Sequence, residues 1–290
     1  SVTGTPRPVG HGADDPWPHF RQLVLDHEGV AERIRTRSTQ TNEIGRCTTL
    51  LPALAQVERE SPGGDRPLGL VEVGASAGLN LLLDRYGYRY EPSRREVSPG
   101  RSLVLSCQER GRRPVPVPEA PPAIAGRVGL DLRPVDLDDA DQARWLVACQ
   151  WPDQPERVHR SRAAIALAQV EPPRVVAGDA VDDLAPLVAA VPDHALPLVF
   201  ATWVLSYLAP ERRHALVALL DRLGAARDLT LVYADIPALI DGMPVPGRPD
   251  GGPDGPATAL VRIDWRDGRR SGRRLADQHP HGTWVEWLDR

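Results

Sequence analysis

The sequence predicts an α/β protein: an open sheet of seven mostly parallel strands, with an N-terminal helical lobe and an inserted hairpin segment. Three observations predict it. Short apolar runs alternate with longer helical patterns from Leu68 onward. The first of them, Leu68 to Val73, reads as apolar, as a buried parallel strand should. And 290 residues with a net charge of −4 can bury a sizeable core in one large domain with an accessory lobe.

The elements follow in order. Residues 1–17 are polar and rich in Pro and Gly, and read as a loose arm without a signal peptide. Phe20, Leu23, Val24, Ala31 and Ile34 suit an amphipathic helix, and Ile44, Leu50, Leu51, Leu54 and Val57 suit a second over Glu43–Glu60. These helices form a lobe over 1–66, ended by the breaker at residues 61–65. The α/β domain spans 67–290. Strands are expected at Leu68–Val73, Gly126–Leu132, Pro173–Ala177, Pro197–Trp203 and Leu229–Ala234. Helices are expected from Gly74 to Asp84 and over Ala140–Cys149, Pro155–Val170, Asp182–Val191 and Pro210–Leu223. Residues 86–127 read as an inserted hairpin and loop, with a β-like run at Ser102–Cys107. The Pro/Gly-rich stretch 237–256 reads as a mobile loop. Strands at Ala259–Trp265 and Thr283–Leu288 close the sheet with an antiparallel edge.

Composition excludes several chemistries. All 35 basic residues are Arg. A Schiff-base lysine, a pyridoxal-phosphate enzyme and a GK[ST] phosphate loop are therefore ruled out. Excess Arg, Ala, Pro and Gly without Lys reflects a GC-rich bacterial genome. The near balance of 35 basic and 39 acidic residues speaks against a nucleic-acid binder. No apolar run is long enough for a membrane span. Cys47, Cys107 and Cys149 form no CxxC pair, which fits reduced thiols in the cytoplasm. His279 and His281 lack a third ligand at a usual spacing, so no metal is expected.

In an open α/β sheet, ligands bind beyond the carboxyl ends of the strands. The segment Leu70-Val71-Glu72-Val73-Gly74-Ala75-Ser76-Ala77-Gly78-Leu79-Asn80 sits at such an end. An apolar strand ends in an acid, and a small-residue turn follows where ligand and backbone can approach closely. The acid suits hydrogen bonding to a sugar or an amine. A bulky residue at Gly74 is expected to block the ligand and spare the fold. The segment resembles motif I of class I S-adenosylmethionine (SAM) methyltransferases, acid-x-Gly-x-Gly-x-Gly, with Ser76 in place of the middle glycine. The resemblance implies a Rossmann-like, class I methyltransferase-like sheet that binds SAM through Glu72, Gly74, Ser76, Gly78 and Asn80.

Further segments resemble that fold's later strand ends. Asp131, in Val128-Gly129-Leu130-Asp131, matches the acid that binds the ribose hydroxyls, or is a turn acid. Asp179 and Ala180 match the adenine-edge motif, or Asp179 is an N-cap. Thr202, Trp203 and Tyr207 match the region that holds the methionine moiety and faces the acceptor. Asp235 directly follows the fifth strand. Asp235, Tyr207 and His281 are the candidate catalytic residues. Gln40, Asn42, Glu43 and Arg46 bunch where a helix begins, and suit a lid that touches substrate.

As a whole the chain resembles a bacterial family, domain of unknown function 2332. The matching features are Thr39–Arg46, Glu72–Asn80, Gly129–Pro134, Trp151–Gln154, Gly178–Ala180 and His279–Trp284. The expected function is a SAM-dependent, methyltransferase-like enzyme acting on a small molecule in bacterial secondary metabolism. Two alternatives stay open: the fold repurposed for an elimination or cyclisation, with a partner subunit, or a non-catalytic scaffold. No nucleic acid or membrane is expected as partner, and a protein partner or homodimer is left open.

Overall fold

The computed structural model describes residues 15, 17–40, 42–61, 63–64, 66–151, 153–236 and 257–289. The expected N-terminal arm, apart from residues 15 and 17, and the expected loop 237–256 lie outside them. By internal contacts the chain divides into two units, residues 1–40 and 41–290. The first contains α1 (Trp17–Asp26) and α2 (Glu28–Thr36). The single helix expected from Phe20 to Ile34 is thus two, separated at His27, and neither buries a residue.

The second unit is built on one sheet. Its strands are β1 (Leu68–Val73), β2 (Gly87–Glu91), β3 (Arg95–Val97), β4 (Val104–Arg110), β5 (Ile124–Asp131), β6 (Val175–Ala177), β7 (Leu196–Thr202), β8 (Leu229–Asp235), β9 (Thr258–Arg266), β10 (Arg269–Gln278) and β11 (Trp284–Trp287). They run in the order β3-β2-β4-β11-β10-β9-β8-β7-β1-β5-β6. The segment β6-β5-β1-β7-β8 is parallel throughout. Every residue of β1, β7 and β8 is buried, as their unbroken apolar runs require.

Side chains alternate between two cores, as a period of two dictates. Leu68 and Leu70 of β1, Leu198 and Phe200 of β7, and Val232 and Ala234 of β8 face one core, with α3 (Cys47–Arg59), α4 (Ala140–Ala148) and α5 (Pro155–Val170). Val71, Val199, Leu231 and Tyr233 face the other, with α6 (Leu184–Ala189) and α7 (Pro210–Ala226). The helices expected at 140–149, 155–170, 182–191 and 210–223 are therefore present. They make a three-layer α/β/α arrangement.

The sheet departs from the expected seven mostly parallel strands: it is mixed, with eleven among the described residues. One strand was hidden by charge. β10 reads Arg269-Arg270-Ser271-Gly272-Arg273-Arg274 in its outer half, which resembles a solvated basic face. The readable signal was Asp267-Gly268, both with positive φ, which turns β9 into β10. The others lie in the insert. Residues 86–127 do not stand apart as a hairpin and loop. β2 and β4 pair in parallel, and β4 pairs with β11, so the insert extends the main sheet past the expected antiparallel edge.

Tyr86, Tyr88 and Tyr90 fix that extension. All three are fully buried, at alternate positions. Their hydroxyls donate to the carbonyls of Leu79, Leu83 and Thr48 at 2.7, 2.5 and 2.7 Å. The last bond has a specific cause. Pro52 lies inside α3 and has no N–H, so the Thr48 carbonyl four residues earlier loses its helical donor. Tyr90 supplies one. Tyr90→Phe should leave that carbonyl buried and unpaired, and lower stability by about 1–3 kcal/mol in denaturant melts. An unchanged midpoint would show the bond to be idle.

Candidate functional site

The chain crosses from β1 to β5 and β6 on one side, then returns to β7 and β8 on the other. The point where the order reverses lies between β1 and β7, where open α/β sheets form their ligand crevice. Glu72, the Gly74–Gly78 turn, Thr202 and Trp203 all lie at this carboxyl edge.

The turn is held by its own chain. Gly74 and Gly78 have φ of 73° and 72°, and Ser76 adopts 53°. The middle position of the motif thus keeps a left-handed conformation without being glycine. The Ser76 N–H donates to Asp131 Oδ2 at 2.8 Å, and the Arg133 N–H donates to Asp131 Oδ1 at 2.8 Å. Asp131 is therefore at least a turn acid, joining the ends of β1 and β5. The helix expected from Gly74 to Asp84 is not an α-helix. Leu79–Arg85 is a 3-10 stretch with a kink at Leu82. Tyr86, Tyr88 and Arg127 take up the carbonyls of Leu79, Leu83 and Leu81. Space at Gly74 also differs from expectation. A Cβ there would lie 2.2 Å from Val204 Cγ2. A bulky residue at Gly74 would therefore disturb packing as well as any ligand.

Glu72 ends β1 and is 1 % exposed. Asn80 Nδ2 donates to its Oε1 at 2.9 Å, and Asn80 Oδ1 accepts from Cys47 Sγ at 3.3 Å. Glu72 Oε2 is buried without a hydrogen-bond partner. Burial pushes this carboxyl up to about 8, against the Asn80 bond and the nearby Arg46 charge.

Opposite lies a cluster of buried charge. Arg46, in a 3-10 turn (Ile44–Arg46) ahead of α3, donates from Nε to the Pro280 carbonyl at 3.0 Å. Its Nη1 donates to Thr202 O and Oγ1 at 3.3 and 3.4 Å. Burial lowers the guanidinium to about 10, with Glu43, Asp235 and Glu72 opposing that shift. Glu43 accepts from Gly45 N at 2.9 Å, from Arg157 Nε at 2.6 Å and from Arg160 Nη2 at 2.8 Å. Burial raises its carboxyl, but the two arginines and that N–H outweigh it and leave it below the usual range. Asp235, 1 % exposed, is raised by burial although it accepts from the Ile236 and Ser206 N–H groups. His281 is lowered to about 4, first by burial and then by Arg157, and its Nδ1 has no partner. Arg157 and Arg160, on the first turns of α5, are the members that sequence reasoning missed. Their signal was spacing: residues 157 and 160 share one helix face beside the Trp151–Gln154 motif.

The expected residues thus fall into groups. Asn42, Glu43, Arg46, Glu72, Asn80, Thr202, Asp235 and His281 gather around the β1–β7 edge. Trp203 joins them with φ 58° and an unpartnered Nε1. Asp131 sits close enough for its charge to act on Glu72. Asp179 is engaged elsewhere. Its Oδ1 accepts from Val181 N at 2.7 Å and from Arg212, and the N-cap of α6 is Asp183. Ala180 is buried beside it. Tyr207 is 78 % exposed. Gln40 belongs to the other unit. A cleft of about 250 Å³ lies beside the Gly74–Gly78 turn, lined by Ala77, Val135, Leu137, Gln169 and Pro173 among others. Among the described residues, no group of three or more His, Cys, Asp or Glu could hold a metal ion, and no helix is long and apolar enough to cross a membrane.

The raised Glu72 carboxyl sets a pH signature. Its folded value lies above the unfolded one, so protonated Glu72 contributes stability that is full below about 4.5 and lost as pH rises through about 8. Glu72→Gln should therefore gain stability relative to wild type as pH rises from 5 to 8, in melts across that range. A difference that stays flat with pH would contradict the buried neutral carboxyl.

Two solved structures match the chain at low identity and low structural overlap. Magnesium protoporphyrin IX methyltransferase from Synechocystis PCC 6803 with bound SAM is 16 % identical, over 78 % of this chain and 79 % of that one, with a TM-score of 0.30. The same enzyme with bound SAH is 14 % identical, over 77 % and 73 %, with a TM-score of 0.31. No curated protein matches the chain. A family model does, over residues 3–287, and the chain belongs to that family: uncharacterized protein conserved in bacteria, DUF2332.

Proposed function

We propose that this chain is a SAM-dependent, methyltransferase-like enzyme acting on a small molecule. The observation that supports it best is the end of β1. A fully buried carboxyl keeps one oxygen unpartnered at the switch point of the sheet, beside a small-residue turn. Buried polar atoms are rarely left unpaired, and a ligand N–H or O–H would satisfy this one. The turn leads into a kinked 3-10 stretch, so it lacks the α-helix N-terminus that a pyrophosphate uses. SAM carries no phosphate and does not need one.

On this reading Glu72 and Asn80 meet the amino-acid end of SAM. Asp131 keeps accepting capacity for the ribose, since each oxygen holds one N–H. The backbone near Asp179 and Ala180 meets the adenine. Thr202, Trp203, Asp235 and His281 line the acceptor side, with Asn42, Glu43 and Arg46 beside them. Tyr207 enters only as a residue that an acceptor would reach. SAM supplies an electrophilic methyl, and its transfer depends mainly on in-line positioning. Neutral His281 can accept a hydrogen bond from the acceptor. Bacterial secondary metabolism in the cytoplasm is the proposed setting, and a protein partner or homodimer is compatible with it.

Val204 favours a second reading, because it fills the space a Cβ would take at Gly74. The fold would then serve an elimination or cyclisation without SAM. One titration separates the two. An ammonium placed beside Glu72 should drive its proton off, so SAM binding near pH 7 should release close to one proton. Calorimetry in two buffers of different ionisation enthalpy would read this, and Glu72→Gln should abolish the release. No heat at millimolar SAM would contradict the methyltransferase reading.

A further inference from the structure

The charge cluster beside the β1–β7 edge does not balance. Arg157 and Arg160 share one carboxylate, Glu43. Arg46 has Asp235 within reach of its charge as well, and Glu72, pushed up to about 8 by burial, is mostly neutral at pH 7. One positive charge around Glu43 is therefore left over, in a place where an uncompensated charge is costly. The hydrogen bonds are incomplete in the same place. Arg157 is 6 % exposed and its Nη2 is buried with no partner. Arg160 Nε and both amide atoms of Asn42 are buried and unpartnered too. His281, whose titration responds first among charges to Arg157, has an unpartnered Nδ1.

We propose that Asn42, Arg157, Arg160 and His281 form a binding site for one carboxylate, with Glu43 as the resident anion that holds the two guanidinium groups in place. Two unpaired guanidinium N–H groups beside one surplus charge suit a monoanion that accepts two hydrogen bonds. A dianion such as sulfate would overfill the charge. The unpartnered His281 Nδ1 would face a hydroxyl or the protonated edge of the same ligand. Combined with the methyltransferase reading, on which this last step rests, the acceptor is a small carboxylic acid anchored through its carboxylate.

The test uses the full chain and sodium acetate as probe. Thermal melts at pH 7 and constant ionic strength would compare acetate, sulfate and chloride. Acetate should raise the melting temperature saturably, and sulfate and chloride should not. Arg160→Gln, which keeps the Arg157–Glu43 pair, should weaken the acetate effect about tenfold or more. Arg157→Lys, which keeps the charge but loses the planar fork, should do the same. Equal saturable effects of all three anions, or a stronger saturable effect of sulfate, would overturn the proposal. The wild-type comparison decides this even if a variant fails to fold. A parallel SAM titration separates the two readings. SAM binding without an acetate effect overturns the carboxylate site alone. An acetate effect without SAM binding leaves the carboxylate site and removes the methyltransferase.

Discussion

The carboxyl edge of this sheet depends on one buried guanidinium. Arg46 ties the Pro280 carbonyl to the end of β7 through Thr202, so segments from opposite ends of the chain meet where the strand order reverses. Taking that charge out of water costs several kcal/mol, and carbonyl bonds with nearby carboxylates must offset it. Gly45 and Gly282 show how close the two loops come. A Cβ on Gly282 would lie 2.0 Å from the Gly45 carbonyl oxygen, and Gly282 has a φ of 71°. Thr48 seals the contact by donating to both the Gly45 and Gly282 carbonyls. Three buried acids lie within reach of this guanidinium. Glu43 stays ionised because two further arginines hold it, while for Glu72 and Asp235 burial outweighs the help that Arg46 and backbone N–H groups give.

The Gly74–Gly78 turn shows a second constraint, from the neighbouring strand. Asp131 takes N–H groups from Ser76 and Arg133, and the Gly78 position packs on Pro173 and Val175. The turn is thus shaped before any ligand arrives, which lowers the ordering cost of binding. Serine can occupy its middle position because the Asp131 bond holds the backbone there.

Much of this was legible in the sequence. Of the five parallel strands, β1, β7 and β8 were readable because burial on both faces leaves unbroken apolar runs, while β5 and β6 are only partly buried; Glu72, Asp131, Thr202 and Asp235 fall at strand ends as the pattern implies. β10 was not readable as a strand, because Arg269 and Arg270 are exposed and, with Arg273 and Arg274, mimic a polar loop. β2 was half-readable: alternating tyrosines mark a strand, but nothing local shows that it joins the far side of the main sheet. The 3-10 stretch after Gly78 gives its carbonyls to Tyr86 and Tyr88 a few residues on and to Arg127 in β5, contacts that no helical periodicity records. In the site, Glu43 and Arg46 stood out as charges at a helix start. Arg157 and Arg160 did not, because their partner lies more than a hundred residues earlier and an arginine pair on a helix ordinarily points to water.

The central claim is that the unpartnered oxygen of Glu72 marks the ligand site. The most direct measurement is a crystal structure of the chain with S-adenosylhomocysteine. The account predicts a ligand nitrogen or oxygen within hydrogen-bonding distance of Glu72 Oε2, with the ribose next to Asp131. A ligand seated in the cleft between Ala77 and Pro173, or bound with Glu72 Oε2 still unpartnered, would contradict it.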